Sequence, residues 1–299
     1  MKDDRVDWLP LSGRVNALVP VLLQWESVHR MERARDRSEA ERIAAESGLS
    51  KSEQAALTLP DSLAGTPGST VANLFRFPRD CHNAKVLLRG QLSGRDASPL
   101  LPGGSVPEQR LRDAVYDGAA AALPDWLARA LADGRRAFQE SRSVQLLDTA
   151  LDRACFAAMR AQARFAGDAA QAYVRLRIDG INLQTLLRRK ADRGEALEEL
   201  LLPGGNVGIG TLLDQCASGH LGAAFAQPLL RETAVSDDAG AAERAVSDAL
   251  LRFAQRCSAV PYGPETVLGF LLQLELLCAA ARLALASVGT TENRRTEVG

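Results

Sequence analysis

The sequence predicts an all-α protein built from repeated helical domains, and three observations carry that prediction. Hydrophobic residues make up 46 % of the 299-residue chain but aromatics only 5 %, so the apolar content is mostly Ala and Leu. Both are strong helix formers. Apolar residues recur at helical spacing, and no stretch alternates with the period of two that a half-buried strand needs. The pattern D-x-x-N-x-x-x-L-L-R occurs twice, as Asp80-Cys81-His82-Asn83-Ala84-Lys85-Val86-Leu87-Leu88-Arg89 and, 99 residues later, as Asp179-Gly180-Ile181-Asn182-Leu183-Gln184-Thr185-Leu186-Leu187-Arg188.

Each copy is followed by Leu-Pro-Gly-Gly, at Leu101–Gly104 and Leu202–Gly205. A repeat sets the architecture, and a period near 100 is too long for a solenoid unit, so it points to small domains in one chain. Advancing once more lands on a degenerate copy, with Leu277 and Ala280 in place of the acid and the amide. Arg282 stands where Lys85 and Gln184 stand before it. The predicted boundaries are 1–105, 106–205 and 206–299, the last with a polar tail from Thr290.

Taken in order, Val15, Leu18, Val19, Leu22, Trp25 and Val28 form a helical stripe with a restart at Pro20. Ser38-Glu-Ala-Glu41 and Ser50-Lys-Ser-Glu53 fit the capping box, with Gly48 as the stop between them. A turn over Gly65–Thr70 precedes the first motif helix, expected to start near Pro78 and end near Gly90. Pro and Gly make 93–107 a loop. Helices are then expected over 107–122, 124–132, 136–164, 169–190, 208–218, 238–259 and 264–286. Gly167-Asp168, Pro203–Asn206 and Pro261–Pro264 punctuate them.

Composition narrows the function. Lys and Arg total 36 against 37 Asp and Glu, a net charge of −1, which argues against a nucleic-acid partner. The length suffices for a core without disulfides or metals. The cysteines, Cys81, Cys155, Cys216, Cys257 and Cys278, are odd in number and form no C-x-x-C, which reads as free thiols in a reducing compartment. The start Met-Lys-Asp-Asp-Arg is charged and lacks an apolar run, so no secretory signal is expected. Thr266–Val288 is long enough to span a bilayer, but Glu275 and Arg282 sit inside it, each opposing insertion by roughly 2.5–3.5 kcal/mol. A core helix is the expected reading.

No catalytic set emerges. In the motif, Asp and Asn at i, i+3 share a helix face. The expected role is a polar contact that locks each domain: the carboxylate pairing with an Arg of a neighbouring helix, the amide bonding a loop carbonyl. Gly204-Gly-Asn-Val-Gly208-Ile-Gly210-Thr211 lacks the Lys of a P-loop and reads as a helix stop and turn. His29, His82 and His220 have no zinc spacing. Cys81 and His82 project to different sides of a helix. Asp237-Asp238 with Glu243 does not match Asp-Asp-x-x-Asp, so no metal or cofactor is expected.

Two stretches, however, resemble a known family. Phe75-Arg-Phe-Pro-Arg-Asp80-Cys-His-Asn83-Ala-Lys85-Val-Leu-Leu-Arg89 resembles the Asp, His-Asn and Lys segment of the C subunit of V/A-type rotary ATPases, whose eukaryotic counterpart is subunit d. Pro261-Tyr262-Gly263-Pro264-Glu265-Thr-Val-Leu-Gly269-Phe270, with Glu275 and Arg282, resembles that family's C-terminal signature. The likeness covers about residues 70–286. Cys81 stands where an aromatic is usual, and the first seventy residues match weakly.

The resemblance implies three similar all-helical domains around a pseudo-threefold axis, forming a hollow cone. It implies a bacterial V-type ATPase rotor subunit in the central stalk, seated between the D- and F-type shaft subunits and the membrane proteolipid ring. Such a subunit transmits torque for proton or sodium transport, has no active site, and lies in the cytoplasm at the inner face of the plasma membrane. Two other readings stand beside it: a helical scaffold of an unrelated complex, and a helical enzyme using Cys81, His82 or Asp237-Asp238.

Overall fold

The computed structural model describes residues 8–63, 65–66, 68–95, 99–189, 197–226 and 239–296. Among them the protein is all-α, without a strand. In chain order the helices are α1 (Leu9–Leu18), α2 (Trp25–Glu32), α3 (Arg37–Glu46), α4 (Leu49–Ser62), α5 (Ser69–Ser93), α6 (Glu108–Tyr116), α7 (Asp125–Ser141), α8 (Val144–Ala166), α9 (Asp168–Arg189), α10 (Leu197–Leu200), α11 (Ile209–Ser218), α12 (Leu221–Ala226), α13 (Ala239–Ser258) and α14 (Pro264–Thr296). Short 3-10 turns at Val19–Val21 and Ala120–Ala122 join some of them.

Several boundaries differ from expectation for identifiable reasons. The first motif helix, α5, begins at Ser69, and Pro78 lies inside it. An interior proline forfeits one backbone hydrogen bond and crowds the preceding turn, at about 3 kcal/mol. Burial of Val71, Ala72, Leu74, Phe75 and Phe77 on the turns before it outweighs that loss, at about 1.5–3 kcal/mol for each large side chain. The expected 124–132 and 136–164 helices are α7 and α8, parted instead at Arg142, whose φ of 57° is left-handed. Ser143 then caps the next helix by accepting from the N–H of Leu146.

The capping box at α3 is Asp36 with Glu39 rather than Ser38 with Glu41. Asp36 accepts from the N–H of Glu39 at 2.8 Å, and Glu39 accepts in return from the N–H of Arg35 at 3.0 Å. Ser50 is not a cap either, because α4 starts at Leu49 behind Gly48, whose φ is 76°. Helix α12 has no counterpart in the sequence reading, and α14 runs ten residues past its expected end.

The helices pack as two compact units, one of residues 1–68 and 251–299, the other of 69–250. In the second unit α8 lies among α5, α7 and α9. Its buried positions Leu147, Leu151, Cys155, Met159 and Ala163 recur every fourth residue, the stripe that one helix face requires. Gly134 of α7 permits the close approach of Leu151, since a Cβ there would overlap its side chain. Phe75 of α5 stacks on Tyr173 of α9 with ring centroids 5.6 Å apart.

In the first unit α14 is the core helix, covered by α1, α2, α3 and α4. Its segment Pro264–Val288 has a mean hydropathy of 1.7 and is apolar and long enough to cross a membrane, yet 61 % of it is buried against the rest of the protein. Gly269 sits against α13, where a Cβ would lie 2.8 Å from the carbonyl of Ala254 and from Cβ of Cys257.

Candidate functional site

The duplicated motif builds the same device twice. In α5, Asp80 points at the loop that follows Leu-Pro-Gly-Gly. One carboxylate oxygen accepts from the N–H and hydroxyl of Ser105, at 2.9 and 2.5 Å, and the other from the N–H of Val106 at 3.1 Å. One turn on, Asn83 holds Leu101 by both backbone groups: its amide donates to the carbonyl at 2.8 Å and its oxygen accepts the N–H at 2.7 Å.

In α9 the arrangement repeats group for group. Asp179 accepts from the N–H and side-chain amide of Asn206, at 3.0 and 2.7 Å, and from the N–H of Val207 at 3.2 Å. Asn182 donates to the carbonyl of Leu202 at 2.9 Å and accepts its N–H at 2.8 Å. The loop ligands Leu101, Ser105 and Val106 correspond to Leu202, Asn206 and Val207.

Why the glycines recur is now visible. A Cβ on Gly104 would overlap the carboxylate of Asp80, and one on Gly205 that of Asp179. Only a residue without a side chain lets the loop backbone come within bonding distance of the helix. The expected partner of each carboxylate was an Arg of a neighbouring helix. The partners are instead loop amides, because the close approach presents two successive N–H groups to one carboxylate. The sequence points to the loop for the two Asn residues but not for the acids, whose partners the close approach of that loop decides.

All four groups are buried, with Asp179 and Asn182 at 0 % exposure and Asp80 and Asn83 at 1 and 6 %. Burial pushes the carboxyls of Asp80 and Asp179 above their ordinary value, against the opposing pull of the loop donors and of Arg76 and Arg175 respectively.

The remaining motif residues separate the two copies. Lys85 pairs with Asp152 of α8 at 2.5 Å, and Arg89 with Asp148 one turn away, so an i, i+4 pair on each helix fastens α5 to α8. Nothing in the D-x-x-N pattern announced these acids; their own i, i+4 spacing was the available signal. In the second copy Gln184 replaces the lysine, and Arg188 is exposed.

The C-terminal signature lies in the other unit. Pro261 and Tyr262 are exposed, Tyr262 by 62 %. Gly263 is buried at φ 130°, and its N–H donates to the hydroxyl of Ser12 at 3.1 Å. Pro264 opens α14, with Glu265 in its first turn, where a carboxylate suits the helix dipole. Glu275 is half-buried, and Arg282 reaches Glu53 of α4 at 2.7 Å.

Other candidates for chemistry are not assembled. Cys81 is buried and turned toward Asp152, its Sγ 3.6 Å from Oδ1, while its neighbour His82 is exposed. The neighbouring Cys155 thiol and burial push the Cys81 thiol well up, and burial together with Lys85 and Arg89 lowers the basicity of His82. Asp237-Asp238 lies outside the described residues. Among those described, no three His, Cys, Asp or Glu residues gather as a metal site.

No curated protein matches the chain. The family model of the ATP synthase (C/AC39) subunit matches residues 37–276. That span holds both latches, both Leu-Pro-Gly-Gly loops and the Pro261–Glu275 signature, so the chain belongs to the ATP synthase (C/AC39) subunit family.

Proposed function

We propose that this protein is the non-catalytic rotor subunit of a V/A-type ATP synthase or ATPase, seated in the central stalk between the D- and F-type shaft subunits and the membrane proteolipid ring. Family membership over residues 37–276 is the observation that carries the reading. The latches supply its physical sense. A torque-bearing part must resist deformation, and in each copy a buried carboxylate and a buried amide tie a loop to a helix by five hydrogen bonds. Close packing of apolar helices adds stiffness.

On this reading the repeats are three domains, over 1–105, 106–205 and 206–299, arranged about a pseudo-threefold axis as a hollow cone. The third copy keeps its basic residue, Arg282, on an acid of an adjacent helix, as Lys85 is in the first. The subunit is peripheral, at the cytoplasmic face of the membrane, and binds no nucleic acid or cofactor.

The test is recovery of partners. Tagged protein purified from gently solubilised native membranes is expected to bring shaft and proteolipid-ring subunits, identified by mass spectrometry. Recovery from the soluble fraction alone, without them, would replace the rotor reading with that of a scaffold in another complex.

A further inference from the structure

Beside the second latch lies a cavity of about 130 Å³ lined by Arg160, Ala163, Arg164, Gln171, Arg175 and Gly204. Three arginines from two helices, α8 and α9, therefore line one small space. A single buried water needs only about 10–15 Å³, so the cavity has room for a group the size of a tetrahedral oxyanion with part of its hydration.

The arginines have donors to spare. Arg153, lower on the same face of α8, is saturated by the carbonyls of Glu198 and Leu201 at 3.0–3.2 Å. Arg160 and Arg164 are exposed and make no hydrogen bond or ion pair among the described residues. Arg175 gives only its Nε–H, to Oδ1 of Asn206 at 3.2 Å. Asp179 lies within electrostatic reach of Arg175 but is occupied by the loop, and Asp168 lies 3.5 Å from the side-chain amide of Gln171.

The first copy shows what the second has given up. Arg76 occupies the place of Arg175, and its Nε–H and terminal N–H both donate to the carbonyl of Gly104, at 3.3 and 3.1 Å. Arg79 donates one terminal N–H to the carbonyl of Gly103 at 3.3 Å, and Ile178 stands in its place in the second copy. So in the first copy the loop's carbonyls absorb the guanidinium groups. In the second, Gly204 instead lies against Arg160: at φ 96°, a Cβ there would sit 2.7 Å from its Cζ. The loop backbone packs on the Arg160 guanidinium without taking it up through a carbonyl.

We propose that this pocket is a binding site for a phosphate group, held by Arg160, Arg164 and Arg175 with Gln171 as a neutral donor. Guanidinium forks match phosphate oxygens bidentately, and three of them favour a dianion over a carboxylate. The proposal does not depend on the rotor assignment.

The experiment titrates full-length protein with inorganic phosphate by calorimetry, at an ionic strength fixed with chloride because exposed charges are screened. Saturable heat at millimolar phosphate is expected, with at least a tenfold loss of affinity in the Arg160→Gln/Arg164→Gln double variant. Both side chains are exposed, so the variant should keep its circular dichroism and melting temperature. Arg153→Gln, which loosens α10 but leaves the cavity charges, should bind phosphate normally. Parallel titrations with a magnesium-free nucleoside triphosphate and with vesicles of anionic phospholipid identify the source of the group: tighter binding of either, lost in the double variant, names it. No saturable heat with any of the three, or equal affinity in the double variant, overturns the proposal.

Discussion

The two motif copies share a latch and differ in how the helix that carries it is fastened to its neighbours. In both, Asp takes two successive loop amides, Asn takes one leucine by both backbone groups, and a glycine makes room. Outside that core the first copy carries an ion-paired clamp to α8 through Lys85 and Arg89, while the second has Gln184 and an exposed Arg188. At the position of Cys81, which turns to Asp152, the second copy has Gly180, where a Cβ would meet Val246 of α13 at 2.8 Å. The lesson is that buried polar groups with every partner specified resist drift together, since changing one orphans the others. Surface charges and helix contacts are free to be rewritten copy by copy.

The largest expected effect is in the more buried latch. Asn182→Ala orphans the N–H and C=O of Leu202 in a dry site, for a loss of about 3 kcal/mol. The less buried Asn83→Ala should lose about 1–2 kcal/mol. Denaturant melts of the two variants compare them directly, and equal losses would show that burial does not set the difference.

Gly205→Ala should follow at about 2–3 kcal/mol, because the methyl group forces the loop off Asp179. A normal melting temperature would mean that the close approach is not what selects glycine.

Lys85→Gln copies the second motif into the first and should lose about 1–2 kcal/mol, since the pair with Asp152 is only partly exposed. Gln184→Lys, the reverse exchange, should gain nothing measurable by the same melts.

A smaller effect is a pH dependence shared by both copies. Burial raises the folded-state carboxyls of Asp80 and Asp179, so the folded protein holds these protons more tightly than the unfolded chain. Their contribution to stability is full below the ordinary carboxylate value and is lost as pH rises through the folded values. Carboxyl carbon NMR titrations should place both midpoints above those of exposed aspartates. Midpoints below would show that the loop amides outweigh burial.

The mildest test concerns thiols. Burial pushes Cys257 and Cys278 up to about 11, and Cys81 is shifted up as well. Half-exposed Cys216 should therefore react first with a thiol reagent at neutral pH. Fast labelling of Cys81, read by peptide mass, would revive it as a chemical group.

The residue sequence carries the helical class, several helix stops and the repeated phrases, though not every cap: Asp36, not Ser38, opens α3. Ala- and Leu-rich periodicity set the helical class, glycine at Gly48 and Gly167 set stops, and D-x-x-N with Leu-Pro-Gly-Gly announced two linked phrases. It did not determine where the phrases meet. That Asp80 seeks Ser105 and Val106 rather than an arginine depends on a loop folding back across more than twenty residues. Pro78 inside α5 was unreadable for a related reason: local propensity opposes it, and only the burial of the preceding turns outweighs the lost bond. The pairing of Asp148 and Asp152 with α5 and the gathering of Arg160, Arg164 and Arg175 are decided by tertiary structure, because separate helix faces acquire shared chemistry only when packing brings them together.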